Sequence, residues 1–198
     1  MVFVGATLVG IEGLILVVCT GNTCRSPMAA ALLAHHLGSR PDTAGLSVAS
    51  AGTLGWSGRP ATAAAVTAVA QRGADLTAHR SRSLRDAAAD LERAAVVIAM
   101  TRVHAGAVAA HRPALAPTTF LPAELVRLAA PRATGQALAE WAAAAGARRT
   151  SHRVVGRAAD EIDDPIGHPP EVYEATAARL DAVMASIAEQ LAACTVRP

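Results

Sequence analysis

The sequence predicts an α/β fold, a single three-layer domain in which helices cover both faces of a parallel sheet. Strand candidates at residues 14–18 and 95–100, both apolar runs, at 46–51, which alternates, and at 118–121 are interleaved with alanine-rich helical stretches. That interleaving through short turns is the pattern of strand–helix–strand units with right-handed crossovers. Residues 95–100 are apolar without interruption, which marks a strand buried on both faces. A chain of 198 residues suffices for one domain with a sizeable core, and no repeat or linker tract divides it.

Taken in order, residues 1–18 are apolar but lack a basic start, and Glu12 interrupts them. The expectation from this is neither a signal peptide nor a membrane span. Residues 1–13 are expected to be a loosely ordered extension, and residues 14–198 the domain. The first strand, 14–18, leads through a tight loop into a helix over 27–37 closed by Gly38. A second strand follows at 46–51, a helix over 60–72 ended by Gly73, and a short helix over 83–93. The strand at 95–100 precedes a helix opened by Thr101, in which His104 reads as an ordinary helix-face position, with a bond to neighbours of the loop after the first strand as the alternative. A fourth strand, 118–121, ends where Pro122 starts another helix. Residues 130–158 read as a solvated insert, with a helical stretch at 136–147 and a basic loop through Arg148, Arg149, Arg153 and Arg157. The last helix spans 171–193, with Val172, Ala175, Leu180, Val183, Met184, Ile187 and Leu191 on one face.

Composition narrows the function. Hydrophobic residues make up 52%, yet aromatics only 3%, so the core is aliphatic and each aromatic becomes informative. Net charge is +2, too little to suggest nucleic acid. All 18 basic residues are arginine, which excludes a Walker-type loop and lysine Schiff-base chemistry. Three cysteines, Cys19, Cys24 and Cys194, form no disulfide framework, and no Cys/His cluster has structural zinc spacing. The expectation is a cytoplasmic protein without cofactor, metal, nucleic-acid or membrane partner.

The informative stretch is Cys19-Thr20-Gly21-Asn22-Thr23-Cys24-Arg25-Ser26-Pro27, between the first strand and helix. A helix N-terminus presents unpaired N–H groups and partial positive charge, and so binds anions. The loop from Thr20 to Cys24 can curl its own N–H groups inward as a nest, and Gly21 and Asn22 tolerate the left-handed conformations this needs. Arg25 adds a planar fork that fits phosphate oxygens. The same field is expected to lower the pKa of Cys19. Ser26 suits the helix N-cap and Pro27 the first helical position, and the Ser26 hydroxyl can reach back to the thiolate.

Cys-Thr-Gly-Asn-Thr-Cys-Arg-Ser-Pro at such a junction resembles the signature of the low-molecular-weight protein tyrosine phosphatase family. Further matches are Ser50-Ala51-Gly52-Thr53, the His79-to-Arg82 segment, Met100-Thr101-Arg102 with His104, and Asp164-Pro165. The resemblance covers most of the chain outside the extension and the insert. It implies four parallel strands in order 2-1-3-4 and hydrolysis of phosphomonoesters, foremost protein phosphotyrosine or a small aryl phosphate. Cys19 would be the nucleophile and Arg25 the phosphate clamp. Asp164, the aspartate directly before proline, would be the general acid/base in preference to Asp163. Ser50 and His79 would brace Asn22. An aromatic in the Trp56 loop would wall the substrate cleft, although a tryptophan covering the core edge fits as well. Arg80, Arg82 and Arg85 would line the mouth or form a solvated edge. Cys24 is either an inert loop thiol or a resolving partner for oxidised Cys19.

One departure stands out. Ile166 occupies the place after Asp-Pro where the family carries a second aromatic wall, which bears on phosphotyrosine preference; Tyr173 is the nearest remaining aromatic. Two other functions share the cradle. An arsenate reductase using a low-molecular-weight thiol would need only Cys19, and a phosphate or phosphopeptide sensor would lack part of the catalytic set.

Overall fold

The computed structural model describes residues 12–150 and 155–192. Most of the expected N-terminal extension lies outside these residues, as do Arg153, Ala193 and Cys194. Among the described residues, four strands form the sheet: β1 (Gly13–Cys19), β2 (Leu46–Gly52), β3 (Ala94–Ala99) and β4 (Thr119–Phe120). All pairs are parallel and the order is β2-β1-β3-β4. The helices are α1 (Arg25–Gly38), α2 (Ala63–Ala70), α3 (Ala88–Arg93), α4 (Arg102–His111), α5 (Pro122–Leu128), α6 (Leu138–Ala147) and α7 (Pro170–Leu191).

The strand period of two explains how one apolar run serves two layers. Ile15, Val17 and Cys19 of β1 join the core formed with α1, α2, α5, α6 and α7, while Leu16 and Val18 join Leu91 and Val108 on the other side. Ile98 and Val97 of β3 divide in the same way. On the larger side, Met28, Leu32 and Leu33 of α1 meet the apolar face of α7, and all are buried.

Several boundaries differ from the sequence expectation, each for a local reason. Helix α1 starts at Arg25 with Cys24 as its N-cap residue. Ser26 therefore lies in the first turn, where its hydroxyl serves other partners. Helix α2 starts at Ala63, because Thr62 caps it by accepting from Ala65 N at 3.3 Å. Residues 83–87 are not helical: Ser83 bridges to Gly52 beside β2, and Leu84 N donates to the Gly52 carbonyl at 2.8 Å. Strand β4 keeps only two residues, since Pro117 lies in a 3-10 turn and Leu121 N bonds Glu124 at the start of α5.

Two larger corrections concern packing. The stretch read as a solvated insert is part of the core: Leu138, Trp141, Ala142 and Ala145 of α6 are buried. Arg149 is half-buried, with its guanidinium 4.4 Å from the Phe120 ring centroid and paired to Glu124 at 2.9 Å. On α7 the buried face is Tyr173, Ala177, Leu180, Met184, Ile187 and Leu191, while Val172 and Ala175 are exposed. Near its N-terminus the helix packs its aromatic rather than its aliphatic residue.

This face assignment is testable. Leu180→Ala should cost about 2–5 kcal/mol of unfolding free energy by urea titration, the range for a buried leucine. Val172→Ala should change it by about 0.5 kcal/mol or less.

Candidate active site

Cys19 ends β1, the strand flanked by β2 and β3, so the loop that follows opens at the carboxyl edge where crossovers leave to opposite faces. That edge is where open parallel sheets bind ligands. Asn22 takes the left-handed conformation, with φ of +54°; Gly21 does not, contrary to the expectation that it would share this role. Gly21 is required instead for space, because a Cβ there would stand 2.7 Å from the Trp56 ring. Gly52 has a similar part: a Cβ would stand 2.6 Å from the Thr20 carbonyl oxygen.

Asn22 is wholly buried and fully bonded. Its amide nitrogen donates to Ser26 and Ser50 hydroxyls, each at 2.9 Å, and its amide oxygen accepts from Arg82 N at 2.9 Å. Its backbone carbonyl accepts from His79 Nε2 at 2.7 Å. A carbonyl only accepts, so His79 carries its proton on Nε2. Burial holds His79 below the ordinary histidine range, which keeps it a neutral donor. Ser50 and His79 thus sit where the resemblance implies.

Ser26 Oγ lies 3.0 Å from Cys19 Sγ and 3.3 Å from the Ala51 carbonyl. With a protonated thiol, the S–H donates to Ser26 and the Ser26 hydroxyl donates to Ala51; with a thiolate, the hydroxyl turns to sulfur. Here the structure corrects the expected low pKa. Burial of Cys19 pushes its thiol up, and this outweighs the hydrogen bonds from Ser26, the Arg25 charge and the Asn22 N–H that pull it down.

Arg25 is 4% exposed. One terminal nitrogen donates to the Ile162 carbonyl at 3.2 Å; the other donates to Thr20 Oγ1 at 3.1 Å and to the Asp164 carboxylate. Its Nε is buried with no protein partner, a donor that a phosphate oxygen would satisfy. The loop bearing Asp164 is pinned at Glu161 and Ile162. Ile162 N donates to the Met100 carbonyl at 2.8 Å, and Glu161 pairs with Arg102 at 2.9 Å. Asp164 itself is half-open, and Asp163 points to solvent.

Cys19, Thr20, Gly21, Thr23, Cys24, Arg25, Trp56, Asp164 and Ile166 line one cleft of about 100 Å³. Trp56 is therefore a cleft wall rather than a core cover. Its loop is clamped by Ser81, which donates to the Trp56 carbonyl at 2.6 Å, and by the contact of Ser57 with Asp86. Arg59 lies over the Trp56 ring at 5.1 Å. Of the arginines expected at the mouth, Arg80 and Arg85 are exposed, whereas Arg82 is tied to Asp90 at 2.8 Å. Ile166 stands exposed at the rim. Tyr173 is no substitute wall: it is buried behind the loop, its hydroxyl 3.8 Å from Cys24 Sγ. Cys24 also lies 3.4 Å from Thr62 Oγ1, and both Cys19 and Cys24 are free thiols.

Sequence reasoning missed Gly52, Thr62 and Ser81 as supports of this cleft, and for His104 the structure selects the loop contact over the plain helix-face position. His104 is 4% exposed and its Nε2 lies 2.8 Å from Thr20 Oγ1. A glycine at a strand end beside the loop was the one available signal. The other contacts join positions tens of residues apart. A larger groove of about 450 Å³ beside α4 and α6 is lined by Arg102 and Arg149, both already ion-paired. Among the described residues, no group of three or more His, Cys, Asp or Glu is placed to hold a metal ion.

Comparison with known proteins agrees with this geometry. Residues 14–118 match the family model described as low molecular weight phosphotyrosine protein phosphatase. A protein-arginine-phosphatase of Geobacillus stearothermophilus is 32% identical over 89% of this chain and 95% of its own length. A probable low molecular weight protein-tyrosine-phosphatase EpsP of Ralstonia solanacearum is 51% identical over 35% of this chain and 44% of its own. Among solved structures, the YwlE arginine phosphatase from Geobacillus stearothermophilus superposes with a TM-score of 0.67 at 32% identity, covering 91% of this chain and 93% of that one. The low molecular weight protein tyrosine phosphatase from T. tengcongensis gives 0.66 at 30% identity, covering 91% and 100%. With its cradle, sheet order and matched span in agreement, this chain belongs to the low molecular weight phosphotyrosine protein phosphatase family.

Proposed function

We propose that the protein dephosphorylates phosphorylated protein side chains through a phosphocysteine on Cys19, in the cytoplasm. The observation that carries this reading is convergence: Cys19, Arg25 and Asp164, brought from β1, α1 and a distant loop, line a single cleft. The Cys19 thiolate attacks phosphorus while Arg25 and the loop N–H groups hold the equatorial oxygens. The bond from phosphorus to the leaving atom breaks as Asp164 delivers its proton. Asp164 then takes a proton from water, which attacks the phosphocysteine, and the Ser26 hydroxyl receives the departing thiolate. Because burial opposes the thiolate and outweighs the donors at Ser26 and Arg25, these donors reduce the opposition without cancelling it.

The walls of the cleft bear on the substrate. Phosphotyrosine, the expectation from the resemblance, is best held between two aromatic rings, and here only Trp56 is aromatic. Phosphoarginine fits this cleft better. A guanidinium stacks on one tryptophan face, as Arg59 already does, and needs no second ring opposite. Arginine phosphatase from Geobacillus stearothermophilus resembles this chain over nearly its whole length, in sequence and in solved structure. We therefore rank phosphoarginine on proteins first and phosphotyrosine second. Cys24 is assigned as the resolving thiol that would condense with a peroxide-oxidised Cys19 sulfenic acid, releasing water and forming a disulfide that a cellular thiol reduces.

Three outcomes follow from these assignments. In single turnover on an aryl phosphate, wild type should give a burst with phosphate trapped on the protein. Cys19→Ala, which leaves no nucleophile, should give none, and Asp164→Ala should slow the burst about 10²–10⁴-fold. Arsenate reduction by wild type without such trapping would favour the reductase instead, and phosphate binding without either activity the sensor.

Ser26→Ala removes a hydrogen bond that favours the thiolate, so the pH midpoint of Cys19 alkylation by iodoacetamide should rise. An unchanged or lower midpoint would remove Ser26 from the thiolate's support.

On peptides, kcat/KM should be higher for phosphoarginine than for phosphotyrosine. Ile166→Phe should shift that ratio toward phosphotyrosine by about tenfold, near the 1.4 kcal/mol upper end of an aromatic pair.

A further inference from the structure

Arg25 has two competing employments. It pairs with Asp164, yet the proposed chemistry needs its charge on the phosphate and needs Asp164 protonated. Once Asp164 carries a proton, the ion pair no longer holds the guanidinium. Two neutral acceptors remain on its terminal nitrogens, the Ile162 carbonyl at 3.2 Å and Thr20 Oγ1 at 3.1 Å. The carbonyl is fixed by the backbone. The Thr20 hydroxyl rotates, and something must fix which way its lone pairs face.

His104 is placed to do so. Its Nε2 lies 2.8 Å from Thr20 Oγ1 and its Nδ1 2.9 Å from Thr101 Oγ1, so both ring nitrogens are engaged. Thr101 caps α4 by accepting from His104 N, which ties the ring to a helix end. Burial and then Arg25 hold the imidazole down at about 4, against the opposing pull of Asp164 and Glu161, so at neutral pH it is uncharged. The Arg25 charge favours the tautomer with the proton on Nδ1. In that form Nδ1–H donates to Thr101, the Thr20 hydroxyl donates to Nε2, and the Thr20 lone pairs face Arg25.

We propose that His104 is a positioning residue that acts through the Thr20 hydroxyl to hold the Arg25 fork on the phosphate when Asp164 lets go. The inference rests on the phosphatase reading above. It goes beyond that reading in giving a role to a residue that touches neither the substrate nor Cys19.

The test uses the full chain, with inorganic phosphate as competitive inhibitor and an aryl phosphate as substrate. Wild type must turn over the ester and bind phosphate; failure of both overturns the phosphatase reading and this inference together. Given a working wild type, His104→Asn keeps a polar group near Thr101 but is too short for Thr20, whereas His104→Gln reaches the position of Nε2. The Asn variant should weaken phosphate binding and lower kcat/KM by about tenfold, the scale of a lost hydrogen bond beside a charge. The Gln variant should stay within about twofold of wild type, with the two melting temperatures alike. Thr20→Val should match the Asn variant, and the double variant should be no worse than Thr20→Val alone, because both remove one chain of contacts. Equal behaviour of the Asn and Gln variants, or multiplied losses in the double variant, would overturn the proposal.

Discussion

The geometry of the cleft depends on one buried side chain, Asn22. A non-glycine residue in the left-handed region is unfavourable in an ordinary loop, and here the conformation is held by four hydrogen bonds from four directions: Ser26, Ser50, Arg82 and His79. Ser26 sits on the helix that follows the loop, Ser50 on the neighbouring strand β2, and the other two on a segment about 60 residues away. With Asn22 turned inward, the Asn22 and Ser26 N–H groups both face the Cys19 sulfur. Leaving any of these bonds unmade would strand a polar group in a dry interior, at about 1–3 kcal/mol each, so the loop is stiff before any anion arrives.

That stiffness lets a buried thiol be useful. Burial alone pushes Cys19 toward the neutral thiol, and a neutral thiol is a poor nucleophile. The compensating groups are local and already oriented: the Ser26 hydroxyl, two backbone N–H groups and the Arg25 charge. Arg25 is itself divided between Asp164, Thr20 and Ile162. The site is therefore a set of mutually dependent charges and donors rather than a nucleophile with accessories. Asp164, the most exposed member of its ion pair, is the one free to change partners.

How far the site could be read in advance follows from how local its parts are. Cys19, Arg25, Asn22 and Ser26 lie within one short stretch, and a strand–loop–helix junction with that spacing points to anion binding without further context. Asp164, Trp56 and His79 were legible only through a family pattern, because nothing local ties them to the loop. His104 looked like any helix-face histidine; its contact with Thr20 spans 84 residues. The α6 segment was misread because its arginines suggested solvent, yet the arginines lie at its edge, Arg149 paired with Glu124 over Phe120, while Leu138, Trp141, Ala142 and Ala145 face the core.

The sequence by itself determined the parallel α/β class, the position of the cradle and the chemistry of its loop. Strand period, helix-end electrostatics and motif spacing are all short-range properties that the local residue order fixes. Tertiary structure decided the pKa direction of Cys19, the second partner of Arg25, the single aromatic wall of the cleft and the burial of α6. Each of these depends on desolvation or on a contact between distant elements. Desolvation is a property of the packed volume around a group, and no local residue order specifies it.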